Sequence, residues 1–508
     1  MRLFLTPHHE CGRADLPVGP DARQRVPTRF MAPMRDSGIE EAPHEPGVRS
    51  AAFTPLQRPT RQDFRITKRR ERRAPVQGFN ARSFAWEISH PRPLPSEGRG
   101  RTVGRTGSRR TSHPVRLLLG FCSAFGLVLQ VCSLSAFAAE NTPKARDLPP
   151  ATPEQIEKSI QRGIAYLLND QNKDGSWGSA RKTKDLNIFA PVPGAHDAFR
   201  SAVTAMCISA LIETGTADTN SAAHEALTRA EAWLLKKLPH VRRADGVAIY
   251  NVWAHSYGIH ALVEMYQRET SDAIRREQLK GFIVQQLDLL RRYESVDGGW
   301  GYYDFRAQTA RPSSDATSFT TATALVALRE AKDAGIEPPK DVVKRAIDSI
   351  VRQRKNDFTY DYGEYLKLRP MMPINRPGGS LGRSQACNLA LRIWGDTNIT
   401  DTVMTNWLGK LIDRNEWLSF GRKRPIPHES WFQVAGYFFY YGHYYAALCI
   451  EHLGPEKAER FKPRIAAIIT NLQEKDGSWF DYPFYNYHQQ YGAAFALMTL
   501  AKCRPAAK

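Results

Sequence analysis

An all-α toroid of about six helix pairs is the fold class this sequence predicts. Three observations predict it. An Asp-Gly-x-Trp turn occurs three times, in "QNKDGSWG" (171–178), "SVDGGWGYYDF" (295–305) and "QEKDGSWF" (473–480). Its aspartates, Asp174, Asp297 and Asp476, stand 123 and 179 residues apart, close to two and three units of about 60. Amphipathic helical stretches alternate with stretches that are apolar on almost every side, and strand-like alternation is nearly absent.

The elements follow in order. Residues 142–153 form a Pro-rich linker, and Pro153 then starts a helix with Ile156, Ile160, Ile164 and Leu167 at three- and four-residue spacing. After the first turn comes "FRSAVTAMCISALIETG", apolar almost all round and therefore expected to be buried on both sides. The same alternation gives outer helices at about 153–169, 222–238, 273–292, 339–354, 400–413 and 457–472. It gives inner helices at about 198–213, 252–267, 315–332, 382–395, 434–452 and 487–502. An Ala-Leu pair marks every inner helix, and the small residue allows close approach. Six pairs can close into a ring with the inner helices lining a central cavity, or stack as an open superhelix.

The turns read as structural clips. Gly175, Gly298 and Gly477 can take positive φ and break the chain out of the outer helix. Asp174, Asp297 and Asp476 can bond the backbone of their own turn. Trp177 and Trp479 bury a large ring whose indole N–H needs one partner. Trp300 is set apart as a cavity residue, because aromatics continue through Tyr302, Tyr303 and Phe305.

The repeated Gln-x-x-Asp-Gly-Ser-Trp turn between paired helices resembles that of squalene and other terpenoid cyclases and of protein prenyltransferase β subunits. The resemblance covers about 150–503 and implies an α/α toroid with a lipophilic central cavity. It does not carry the chemistry with it. A class II cyclase has an Asp-x-Asp-Asp acid motif before Thr-Ala; the best frame here, on Thr321-Ala322, puts Thr317, Ser318, Phe319 and Thr320 at those positions. Asp315 lies nearby as a lone carboxylate, a proton donor or a helix N-cap. The Asp, Cys and His zinc set of the prenyltransferases is absent, so no metal and no cofactor is expected. Cys449 and His452 read as a core thiol and a surface histidine. Cys207, Cys387 and Cys503 likewise read as buried thiols.

The densest aromatic segments are "ESWFQVAGYFFYYGHYYAALCIEHL" (429–453) and "SWFDYPFYNYHQQYGAAFAL" (478–497). Buried tyrosines need hydrogen-bond partners, so these suggest a partly polar pocket. The expected cavity residues are Trp300, Tyr302, Asp304, Tyr441, Tyr444, Asp481, His488 and Tyr491. Asp315 is the favoured acid and His443 its partner. Such a pocket suits a hydrophobic or amphipathic small molecule, possible cyclisation included. The alternatives are a glycan-binding or glycan-cleaving protein, which needs two facing carboxylates, and a non-catalytic exported scaffold.

Most of the net charge of +19 lies in an Arg- and Pro-rich leader, 1–114, read as disordered or not part of the functional protein. The charge therefore gives no case for nucleic acid. Arg109, Arg110 and Arg116, an uncharged stretch over 117–138 and the ending Ala136-Phe137-Ala138 read together as a signal peptide over 115–138. A secreted or periplasmic protein is expected; an uncleaved signal would instead anchor it to the membrane. A linker, 139–152, then leads to the toroid domain, 153–503.

Overall fold

The computed structural model describes residues 144–184, 193–313 and 315–505, all within the unit Ser112–Lys508. The leader and the apolar segment 115–138 lie outside the described residues. Among these, no helix is long and apolar enough to cross a membrane.

Twelve principal helices alternate between two layers. The outer layer is α1 (Pro153–Asp170), α3 (Ser221–Lys237), α5 (Ala273–Arg292), α7 (Lys340–Gln353), α9 (Asp401–Asp413) and α11 (Lys462–Asn471). The inner layer is α2 (Pro193–Glu213), α4 (Asn251–Arg268), α6 (Ser318–Asp333), α8 (Pro377–Ile393), α10 (Phe438–Leu453) and α12 (His488–Lys502). Each inner helix packs against the next, and α12 returns to α2, so the ring is closed.

Local chemistry explains these elements. Thr152 and Gln155 form a capping box ahead of Pro153, and the buried stripe Ile156, Ile160, Ile164 and Leu167 turns inward. The inner helices are buried round most of their circumference, as α8 and α10 illustrate. Several helix starts differ from expectation by three to five residues: Pro193, Ser318, Pro377, Phe438 and Lys462 stand where 198, 315, 382, 434 and 457 were expected. Helix α6 begins at Ser318 with Thr317 as its N-cap residue, so Asp315 does not cap it. Helix α10 begins at Phe438, because the preceding loop turns through Phe432 at φ 61°.

The repeated turn is a clip with one set of bonds. The indole Nε1 of Trp177, Trp300 and Trp479 donates to the carbonyl of Leu167, Leu290 and Ile469, ten residues earlier, at 2.8, 2.8 and 2.9 Å. Gly175, Gly298 and Gly477 all sit near φ +90°. A Cβ there would lie 2.4–2.5 Å from the carbonyl oxygen of Arg229, Arg345 or Arg162 on the next outer helix. The clip therefore rests backbone to backbone on its neighbour. That neighbour's arginine also reaches back: Arg229 to Gln171, Arg162 to Gln473, and Arg345 to Glu294, which stands where the others have Gln. The last clip holds α1 through Arg162, which locks the ring shut. Trp300 thus belongs with Trp177 and Trp479 in the clips and not in a cavity.

A fourth clip hides in "RKNDFTY" (354–360). Phe358 takes the glycine position at φ 60°, Thr359 N–H donates to Asp357 Oδ1 at 3.0 Å, and Tyr360 replaces Trp, its hydroxyl donating to Asn388 Oδ1 at 2.8 Å. Asp357 lies 60 residues after Asp297.

The ring centre is filled. Trp253 of α4 meets Phe319 of α6 at 6.0 Å between ring centroids, and Phe319 meets Phe438 of α10 at 4.9 Å. Phe495 of α12 meets Tyr257 of α4 and Tyr444 of α10 at 5.9 and 5.5 Å. Tyr444 even reaches across the axis to His260 of the opposite helix, at 3.4 Å. Beside them a cavity of about 10 Å³ remains, room for about one water molecule. Small residues draw the inner helices together and aromatic side chains take up the space, in place of the open lipophilic cavity that the resemblance implied. Among the described residues the cysteines Cys207, Cys387, Cys449 and Cys503 are buried and free.

Candidate functional site

The two faces of the ring are built differently. Where inner helices end, Gly215, Gly335, Gly395 and Gly454 take positive φ just past α2, α6, α8 and α10 and make short, regular caps. Where inner helices begin, the connections are long. All seven described non-glycine residues at positive φ lie in those connections: Gln308, Phe358, Lys423, His428, Phe432, Gln433 and Tyr485. Strained backbone of this kind clusters at functional surfaces.

That face carries an aromatic floor. Tyr250 and Trp253 come from the start of α4, Tyr302 and Tyr303 from the loop before α6, Tyr362 from the loop before α8, and Tyr437 from the loop before α10. Trp253, Tyr302, Tyr303 and Tyr437 are half-buried. The floor is tied together by hydroxyls. Tyr302 Oη bonds Tyr362 Oη, Tyr362 Oη bonds Tyr437 Oη at 3.0 Å, and Tyr437 Oη bonds His428 Nε2 at 3.1 Å. His428 Nδ1–H donates to the Gln433 carbonyl at 2.7 Å, which makes Nε2 the acceptor. Each hydroxyl then donates toward His428, and the oxygen of Tyr302 keeps acceptor capacity at the far end. Burial holds His428 below the usual histidine range and raises the tyrosines, so the chain is neutral near pH 7. Arg383, fully buried, fixes the floor from beneath: it donates to the carbonyls of Tyr360, Gly379 and Ile374 and lies 5.7 Å from the Tyr362 ring centroid. On the rim, Tyr250 Oη donates to Tyr303 Oη at 2.8 Å, and Lys184 meets Tyr482 Oη.

The expected site residues fall in several places. Tyr302 is in the floor. Asp304 and Asp315 lie beside it and share the Ser313 hydroxyl, at 2.6 and 3.3 Å. Asp304 is fully buried against Arg243 at 3.0 Å and ties the loop 243–248 to that of Tyr302. Asp315 faces Arg306 at 3.4 Å, and burial raises its pKa. Tyr441 and Tyr444 fill the ring centre; Tyr441 Oη donates to the Phe319 carbonyl at 3.0 Å. His443 turns to the outer layer. Its Nδ1–H donates to the Phe439 carbonyl at 2.7 Å and its Nε2 accepts from Asn415 at 2.8 Å, while burial lowers its pKa to about 4. With both ring nitrogens satisfied there, it is not paired with Asp315. Asp481 accepts from Tyr440 N–H at 3.1 Å and Tyr491 Oη at 2.7 Å, and so anchors the start of α10. His488 Nδ1–H donates to the Tyr485 carbonyl at 2.6 Å.

Tyr362, Tyr437 and His428 were missed in the sequence. "FTYDYGEYL" (358–366) lies outside the helical pattern, and its tyrosines join the others only through the fold.

Among the described residues the fold is a closed α/α toroid. Residues 147–367, rather less than half of it, match the squalene-hopene cyclase C-terminal domain family. No curated protein matches the chain. Among solved structures, it is similar to a variant of the type II terpene cyclase MstE from Scytonema in complex with geranylgeranyl dihydroxybenzoate, at 15% identity over 70% of this chain and 98% of that one, TM-score 0.40. It is similar to cellobiose 2-epimerase from Spirochaeta thermophila, at 14% identity over 68% and 97%, TM-score 0.46. A third is an inactive variant of the α-1,6-mannanase GH76A of Salegentibacter, at 8% identity over 68% and 98%, TM-score 0.43. At such identities and TM-scores none of these speaks to this chain's chemistry.

Proposed function

We propose that this protein is exported and binds an amphipathic small molecule on the aromatic floor, without cyclising it. The observation that carries the reading is the hydroxyl chain from Tyr302 to His428, held in part by a histidine in strained backbone. Half-buried rings offer an apolar surface to the body of a ligand. The remaining acceptor capacity of Tyr302 offers a polar contact to its head. Cyclisation needs a strong acid above an apolar well. Thr317 to Thr320 stand where the acid motif would be, and the ring centre is occupied by side chains. The basic, apolar and small-residue segments up to Ala138 support export.

Calorimetric titration tests this with two probes, a C20 prenyl alcohol in micelles and a linear tetrasaccharide. One of them should bind the full chain, and Tyr302→Phe with Tyr437→Phe should weaken that binding about tenfold or more, the loss of one to two hydrogen bonds. No cyclised product should form. Equal binding by the double variant, or turnover of the prenyl probe, would remove this reading. Binding of the sugar alone would move it to the glycan class.

A further inference from the structure

A second polar cluster closes the axis at the other end of the ring, where the inner helices finish. Ser256, His260 and Glu264 are spaced by four on α4 and so share one face of it. His260 Nδ1 lies 2.8 Å from Glu330 Oε2 of α6. Its Nε2 lies 3.3 Å from Glu213 Oε1 of α2 and 3.8 Å from Glu264 Oε1. The donor atoms of Glu213, His260 and Glu264 all fall within 4.8 Å of one another. The other oxygen of Glu213 meets Lys502 Nζ at 2.8 Å. Ser256 Oγ is buried here and has no hydrogen-bond partner. Ser209 is 0% exposed and lies beside Glu264. Ser256 is 1% exposed and lines the 10 Å³ cavity with His260, Glu330 and Tyr444.

We propose that Glu213, His260 and Glu264 bind one divalent transition-metal ion, a site separate from the aromatic floor. Donors around a tetrahedral ion at 2.0–2.2 Å stand about 3.4 Å apart, close to the 3.3 and 3.8 Å found. Glu330 on the remote nitrogen of His260 is the carboxylate–imidazole support that fixes a metal-ligating histidine, its tautomer and its aim. Charge agrees. With His260 neutral and ligating, one divalent ion and Lys502, which also pairs with Glu451 at 3.1 Å, offset most of the charge of the Glu213, Glu264 and Glu330 carboxylates. One imidazole with carboxylates selects Zn²⁺ or Mn²⁺ ahead of an alkaline-earth ion. The adjacent cavity, lined by Ser256, has room for about one water as a further ligand. His260 and Glu264 are each 14% exposed at their side chains, which leaves an entry path.

The test uses the full chain, free of any affinity tag and stripped with EDTA, titrated separately with Zn²⁺ and Mn²⁺. Expected is one ion per chain for at least one of them, with a rise in Tm. Glu264→Gln keeps the shape and removes one charged ligand; it should weaken binding about tenfold or more and abolish the metal-dependent rise in Tm. Its Tm in EDTA reports whether it folds. Glu330→Gln leaves all three ligands in place and should cost about ten- to a hundredfold in affinity, so it tests the site even if the first variant does not fold. Failure of the wild type to take up either ion stoichiometrically would overturn the proposal. So would wild-type affinity in a folded Glu264→Gln or in Glu330→Gln.

Discussion

Asp481 holds its proton in the fold far beyond the usual aspartate range. Burial pushes its pKa up to about 7, against the opposing pull of Tyr491, the Tyr440 N–H and Arg422. The folded state therefore binds a proton that the unfolded chain releases near the ordinary value of 3.8. Stability from this group is complete below that value and is lost as pH rises to about 7. Asp481→Asn is neutral throughout and should flatten the dependence, which amounts to a few kcal/mol at most. Urea midpoints at about pH 5 and about pH 8 for both proteins measure it. Gly175 and Gly281 give a second contrast. Gly175→Ala forces a Cβ to 2.5 Å from the Arg229 oxygen at φ +91° and should cost roughly 1–3 kcal/mol. Gly281, exposed on α5, has nothing within 4 Å, and its change to Ala should gain up to about 1 kcal/mol of helix propensity. Thermal unfolding of the pair would show opposite signs.

At the scale of elements, the helices were legible because their apolar period is regular and their caps are local. The twelve expected helices are found, displaced by a few residues where a loop intrudes, as at Ser318 and Phe438. The clips were legible where glycine and tryptophan both survive. The fourth was not, because Phe358 and Tyr360 share no residue type with Gly and Trp, although they keep the same backbone path. Its equivalence is testable. Tyr360→Ala should cost about 3–5 kcal/mol, as large buried aromatics do. Phe358→Gly should be neutral or stabilising, because it relieves a positive φ. Denaturation of both variants checks this; a strong loss from Phe358→Gly would show that its ring, and not the turn, holds the clip. The candidate site was less legible still. Tyr302 could be picked out in the sequence, but His428 and Tyr362 meet it only when three loops converge. His443 looked functional among its tyrosines, yet its helix turns it toward Asn415. His260 and Glu264 carried a readable sign, a polar pair at four-residue spacing within an apolar helix.

Over the whole molecule, the ring is closed by the same device that spaces its repeats. Its regular face holds charged groups around the axis, and its irregular face holds aromatic ones. Small-molecule binding is proposed for the irregular face. The most direct measurement is mass spectrometry of what co-purifies with the full chain, extracted into lipid and sugar fractions, run beside the Tyr302→Phe, Tyr437→Phe variant. One amphipathic compound is expected near stoichiometry with the wild type and clearly depleted from the variant. A compound retained equally by both proteins would contradict that proposal.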